Sequence, residues 1–256
     1  MVSSTLVAAA LVAFVSAAAY GAVAWKLRKR APTDSDDQWA LGHFVLWWGA
    51  TAGNILVAGL LYLAAAFDRI NLALQLADSI LQRVVLAASL WGLVTYLLYL
   101  VTGKRFGRLT GVLYAAHAAF MVSILLRSGP NGVIVGAWRT DLSYASDPGA
   151  VLDLVNFVLV ILAPVAACIA YLVIAIRLPK GVQAEQRYRG LIVSTALIFW
   201  WTVAVVAGQR GSLDLEWLQL LNRALGLCAA VAIVLAYHPP AMLRRRWGGA
   251  PSTSAA

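Results

Sequence analysis

The feature that most constrains this chain is a succession of long apolar stretches. A helix must run about 20 mostly apolar residues to cross roughly 30 Å of hydrocarbon. Seven stretches meet that length, at about 4–25, 41–66, 76–101, 109–127, 151–176, 190–208 and 213–238. They are continuously apolar rather than alternating, which speaks against membrane strands. Together they consume most of the 256 residues. The expected fold is therefore an all-α bundle of seven transmembrane helices. It occupies residues 1–243 and is followed by a basic, Gly/Ser/Ala-rich tail over 244–256 that reads as disordered. Composition agrees: 62% of the residues are hydrophobic and only 12% charged, half the usual charge of a soluble domain.

Charge placement orients the bundle. Fourteen of the twenty Lys and Arg residues follow the first, third, fifth and seventh stretches: Lys26–Arg30, Lys104–Arg108, Arg177–Arg189 and Arg244–Arg246. The opposite loops hold Arg69, Arg127, Arg139 and Arg210, and Arg83 and Arg223 lie inside stretches. The positive-inside rule then places the N-terminus outside and the C-terminus in the cytoplasm of a plasma (inner) membrane. The net charge of +9 reads as topology and contact with anionic lipid, with no nucleic-acid partner expected. The first stretch lacks a positive n-region and has its basic cluster behind it, so it reads as a retained helix, not a cleaved signal. Cys168 and Cys228 both fall within stretches and are read as small packing residues. Abundant alanine and a preference for arginine over lysine point to a GC-rich prokaryotic genome.

Three landmarks recur in order. Ala19-Tyr20 matches Ala170-Tyr171, each ahead of a basic segment. Leu46-Trp47-Trp48 matches Phe199-Trp200-Trp201, and Gln82-Arg83 matches Asn222-Arg223. The offsets are 151, 153 and 140, so the correspondence needs small gaps. It suggests two parallel three-helix units joined by the fourth helix, a 3+1+3 plan.

This plan resembles the seven-helix class of microbial rhodopsins, sugar facilitators of the SWEET type and G-protein-coupled receptors, without their signature residues. A retinal protein requires a lysine in its seventh helix. The lysines here are Lys26, Lys29, Lys104 and Lys180, so retinal is excluded as a cofactor. The facilitators carry a proline in the first helix of each unit; Pro164 fits, but the first stretch has none. Thr102-Gly103-Lys104-Arg105 and Tyr237-His238-Pro239-Pro240 do not match the receptor signatures. The chain also resembles the seven-helix input regions of bacterial sensor kinases, here without a transmitter domain after the last helix, which implies a separate cytoplasmic signalling partner.

Ionisable and polar groups within the stretches are the candidate site, because a charge in hydrocarbon costs at least about 2.5–3.5 kcal/mol. Arg83 and Arg223 lie about two turns below the outer ends of their helices. Asp153 and Asn156 are three apart and share a face, which continues through Pro164 to Tyr171. A second stripe runs His43, Trp47, Thr51, Asn54, Ala58 and Tyr62; a third includes Ser194, Trp201 and Gln209. On one reading, Arg83, Arg223, Asp153, Asn156, Asn54, Trp201 and Gln209 line an outward-open cavity for a small anionic ligand. On the other, the arginines snorkel or pair with Asp78, Asp153 or Glu216 as clips between helices. The tryptophan pairs are read first as packing and interfacial anchors.

His43, His117 and His238 occupy the half toward the cytoplasm but share no helix at i, i+4 spacing and have no carboxylate beside them in the stretches. Haem or metal binding is thus the weakest expectation, and no enzymatic activity is expected. The segment at about 128–150 holds Gly129-Pro130-Asn131-Gly132 and then β-branched and aromatic residues. It reads as an external strand or hairpin, either a lid or a plain connector. The leading functional expectation is a receptor or sensor for an external small ligand. The runner-up is a solute facilitator built from two three-helix units, and a structural subunit of a larger complex is the remaining alternative.

Overall fold

The computed structural model describes residues 3–29, 35–145, 162–179, 184–208 and 215–242. Seven helices stand among them: α1 (Ser4–Arg28), α2 (Ser35–Ala66), α3 (Leu72–Thr102), α4 (Gly107–Arg127), α5 (Ala163–Arg177), α6 (Ala184–Gly208) and α7 (Glu216–Tyr237). Five are long and apolar enough to cross a membrane: Ser4–Arg28, Gln38–Ala66, Leu72–Thr102, Gly107–Arg127 and Glu216–Tyr237. Between α4 and α5, β1 (Pro130–Val135) and β2 (Thr140–Tyr144) form an antiparallel hairpin. A strand or hairpin is the expectation here, after turn formers at 129–132; instead Pro130–Gly132 lie inside β1, with an irregularity in register between Pro130 and Gly132, and the turn falls at 136–139.

Local chemistry sets the helix ends. Ser3 caps α1 by accepting from the Leu6 amide, and Asn71 caps α3 by accepting from the Leu74 amide at 2.8 Å. The α2–α3 turn is a Schellman motif: Arg69 N–H bonds the Ala64 carbonyl, Asp68 N–H bonds that of Ala65, and Asp68 takes φ +56°. Gly103, at φ +66°, ends α3. With 31 residues, α3 is about 46 Å long at 1.5 Å per residue, well beyond a hydrocarbon core. Its first turns carry the buried polar residues Gln75 and Asp78, and the hairpin packs against this helix.

Among the described residues, α1 packs on α2, α2 on α3, α3 on α4, α5 on α6 and α6 on α7, and two further contacts close the arrangement: α1 against α7, and α3 against α5. Among the described helices α4 packs chiefly on α3, tied to it by Trp91 Nε1 donating to the Gly107 carbonyl at 2.9 Å and by Thr95 to Thr110 at 2.5 Å. The α2–α3 crossing is close. A Cβ on Gly92 would stand 2.6 Å from the His43 carbonyl oxygen and 2.7 Å from the Trp47 amide nitrogen, so only glycine fits. The main core joins Tyr20 and Leu27 of α1, Phe44, Trp47 and Trp48 of α2, Leu93 and Leu97 of α3, Val193 and Leu197 of α6, and Ile233 and Tyr237 of α7.

The helices extend beyond some of the apolar stretches. α2 begins at Ser35 rather than near 41, and α6 at Ala184 rather than near 190. In each case a polar turn precedes the apolar run; in α6 it is held by an Arg189–Glu185 ion pair at 2.5 Å.

Candidate functional site

Two ends of the bundle are chemically distinct. At the hairpin end, α1, α3 and α7 begin and α2 and α4 finish. At the basic end, α1, α3, α5 and α7 finish beside Lys26, Lys104, Arg177 and the start of α6.

At the hairpin end both intrahelical arginines hold the hairpin. Arg223 Nη2 donates to Tyr62 Oη at 2.5 Å and to the Trp138 carbonyl at 3.4 Å, with its guanidinium 4.5 Å from the Tyr62 ring centroid. Trp138, in the hairpin turn, packs against the cluster formed by Leu6, Ala9, Ala10, Ala58 and Tyr62. Arg83 donates to the Ser79 carbonyl at 2.7 Å and hydrogen-bonds Tyr144 of β2, within electrostatic reach of Asp141 and Asp78. Asp141 in turn receives Arg139 at 3.0 Å. The arginines therefore clip helices to the hairpin, with tyrosine hydroxyls and the Ser79 and Trp138 carbonyls as their hydrogen-bond partners.

Their Nε atoms are nonetheless buried without a hydrogen-bond partner among the described residues, as are Asn54 Oδ1 and Asn222 Oδ1. Asn54 stands two turns before Tyr62 on α2. Leaving such groups unpaired costs about 1–3 kcal/mol each, more for charged ones.

Toward mid-bundle the packing turns aromatic. The Tyr20 ring lies between Trp48 and Trp200, stacked on both, with centroids 5.7 and 5.9 Å away. Trp47 stacks on Trp48 at 4.1 Å, and Trp200 lies 5.8 Å from Trp201. Trp201 is half-buried and packs against the cluster formed by Ala87, Leu90, Tyr114 and Ala118. The tryptophan pairs are thus interior packing elements. Tyr20 Oη and Trp48 Nε1 are buried without a partner among the described residues.

Below this waist, at the basic end, lies a cavity of about 550 Å³ lined from α1, α2, α3, α5, α6 and α7. Phe44, Tyr96, Tyr99, Tyr171 and Tyr237 supply rings, and Gln186 and Arg189 supply polar groups. Gly190 shapes one wall: a Cβ there would stand 2.6 Å from Ala175 Cβ, so α5 and α6 approach closely enough to bring Tyr171 beside Arg189. Sequence reasoning counted Arg189 as a topological charge and overlooked this cavity. The available signal was Tyr96 and Tyr99 at i, i+3, with Tyr171 and Tyr237 at the same ends of their helices.

At the cavity's margin Lys26 Nζ donates to the Tyr237 carbonyl and stands 3.4 Å from His238 Nδ1, joining α1 to the end of α7. Partial desolvation, with the Lys26 charge adding to it, lowers the His238 pKa below its ordinary 6.5.

Of the expected site residues, Arg83, Arg223 and Asn54 fall in the hairpin-end half, and Trp201 lies on the α3 side of the waist. Asp153, Asn156 and Gln209 lie outside the described residues. His43 Nδ1 donates to the Trp39 carbonyl at 2.9 Å, its ring tilted 4.3 Å from that of Trp39, while His117 packs edge-on to Tyr114. Among the described residues no three His, Cys, Asp or Glu side chains gather as a metal set. Cys168 is buried and Cys228 exposed, both as free thiols. No protein-family model matches the chain, and no curated protein matches it.

Proposed function

We propose that this chain is a seven-span plasma-membrane protein, N-terminus outside and C-terminus cytoplasmic, that carries a small solute between two alternately accessible ends, without enzymatic activity. The observation that carries this reading is the asymmetry of the bundle. The hairpin end is bridged by Arg223–Tyr62–Trp138 and Arg83–Tyr144, while a cavity of about 550 Å³ lies at the basic end, across an aromatic waist. With the basic end cytoplasmic, this is an inward-facing arrangement under an external lid.

The helix contacts favour two related halves. The first helix of one unit meets the third of the other on both sides, α1 with α7 and α5 with α3. The paired landmarks play like parts: Trp48 and Trp200 flank one tyrosine, and Arg83 and Arg223 both reach the hairpin. Such halves rocking about the waist would exchange one open end for the other.

Reconstitution into proteoliposomes tests the proposal. Small carboxylates and phosphates are applied in turn while charge movement is recorded on a solid-supported membrane. Currents or counterflow absent from empty vesicles, and altered by Arg83→Gln with Arg223→Gln, are expected. Silence across the panel, alongside direct binding of one of its members, would instead favour a receptor or sensor that signals through a separate cytoplasmic partner. The buried arginine Nε atoms and Asn54 Oδ1 beneath the hairpin favour that second reading.

A further inference from the structure

We propose that the basic-end cavity is a binding site for a flat, ring-bearing organic anion such as an arene carboxylate. This rests on the carrier reading only for what becomes of the ligand; the site itself stands on its own geometry.

The walls are ring surfaces. Phe44 stacks on Tyr96 at 4.3 Å, and Tyr237 lies 6.4 Å from Phe44. Tyr99 and Tyr171 complete a set of five rings from α2, α3, α5 and α7. Flat faces favour a planar conjugated guest, through offset or edge-on ring contacts, over a flexible branched one. A volume of about 550 Å³ is within the range of small-molecule sites, which are mostly apolar with a few placed polar groups.

The polar groups set the sign of the guest's charge. Among the described residues the lining contains one guanidinium, Arg189, one amide, Gln186, and no carboxylate, the Glu185 carboxylate pairing with Arg189 from outside it. Arg189 Nε donates to the Ala236 carbonyl at 3.3 Å and Nη2 to Glu185 at 2.5 Å, with the guanidinium 5.2 Å from the Tyr237 ring centroid. A guanidinium has five N–H groups, so Nη1 and the second Nη2 hydrogen stay available to an incoming oxyanion. The Ala236 bond ties the fork to α7 and the Glu185 bond ties it to its own helix, so little of the Arg189 side-chain freedom remains to be lost on binding. Lys26 at the margin adds to the positive field that would draw an anion inward.

The full chain in nanodiscs is photolabelled with 4-benzoylbenzoate, and the labelled peptides are mapped. Competition then uses 2-naphthoate, cyclohexanecarboxylate (same charge, no aromatic ring), 2-naphthamide (same ring, no charge) and oleate (a lipid-derived anion). Label on peptides containing Tyr96 and Tyr99, or Tyr171, is expected, with 2-naphthoate blocking at concentrations at least tenfold below each of the others. Arg189→Gln should weaken the 2-naphthoate block at least tenfold with an unchanged elution profile, and Arg189→Lys should restore part of it. The competition series on the wild-type chain stands even where a variant fails to fold. Label spread over lipid-facing peptides, equal block by cyclohexanecarboxylate or 2-naphthamide, stronger block by oleate, or an indifferent folded Arg189→Gln overturns the proposal. Naphthoate binding without any solute current overturns carriage but leaves the site; currents with other solutes and no naphthoate binding do the reverse.

Discussion

Arg223 both donates to the Tyr62 hydroxyl at 2.5 Å and lies over the same ring at 4.5 Å, so one tyrosine holds an α7 charge by two separable interactions. Tyr62→Phe removes the hydrogen bond and keeps the ring. It should cost about 1.5–3 kcal/mol, the usual worth of a hydrogen bond to a charged group. Arg223→Gln loses the cation–π contact as well, about a further 0.5–2 kcal/mol, and frees the Trp138 carbonyl. Thermal unfolding in detergent should rank wild type above Tyr62→Phe above Arg223→Gln, with hydrogen exchange in β1 and β2 accelerating in that order. Equal melting temperatures for all three would show that the clamp contributes nothing.

Three glycines of α2 and α3 should answer alanine in opposite ways. At Gly92 the new methyl meets backbone, the His43 oxygen and the Trp47 nitrogen, which cannot rotate aside, so α2 and α3 must separate. Overpacking of this kind costs about 1–3 kcal/mol, and Gly92→Ala should fall at the upper end. At Gly53 the nearest atom is Val85 Cγ1 at 3.9 Å, and at Gly49 nothing lies within 4 Å. Alanine at either should stabilise by up to about 1 kcal/mol through helix propensity. Paired melting curves check both directions, and a neutral Gly92→Ala would refute the close crossing.

The helices were legible because apolar run length is a one-dimensional signal, and the strand pair because β-branched and aromatic residues follow at 133–144, although the turn falls at 136–139 and not at the Gly/Pro/Asn run 129–132. Helix starts were not, since a helix continues past the hydrocarbon wherever a polar turn pairs with itself, as Glu185 and Arg189 do. That same extension moved Arg189 from an expected loop into a cavity wall. Arg83 and Arg223 were recognisable as costly buried charges, but their partners were not: Tyr62 is 161 residues from Arg223, and Trp138 is 85. A cavity lined from six helices has no local pattern to read.

The orientation is tested with single cysteines in a Cys168→Ala, Cys228→Ala background. Val135→Cys, on exposed β1, and Lys104→Cys, on the exposed α3–α4 turn, report the two ends. In intact cells a membrane-impermeant maleimide should label Val135→Cys and spare Lys104→Cys until the membrane is opened. The reversed pattern would put the cavity outside. Labelling of both before opening would mean that they share a face, against the odd number of spans expected between the N-terminus and each of the basic segments.

Acidification should destabilise the basic end through His238. Its folded pKa is lowered, first by partial desolvation and then by the Lys26 charge 3.4 Å from Nδ1. The unfolded chain therefore binds a proton on this side chain more readily than the folded one. Its contribution to stability is present above the unfolded value near 6.5, declines as the pH falls through 6.5 toward the lower folded value, and then levels off. Because His238 is exposed, the effect should be small and is best isolated by difference. The drop in melting temperature from pH 8 to pH 5 should be larger for wild type than for His238→Gln, whose other titrating groups are the same. Lys26→Gln should shrink the difference by removing the nearby charge, while also losing the bond to the Tyr237 carbonyl and so lowering stability at every pH. Identical drops for wild type and His238→Gln would show that this histidine titrates alike in the folded and unfolded chain.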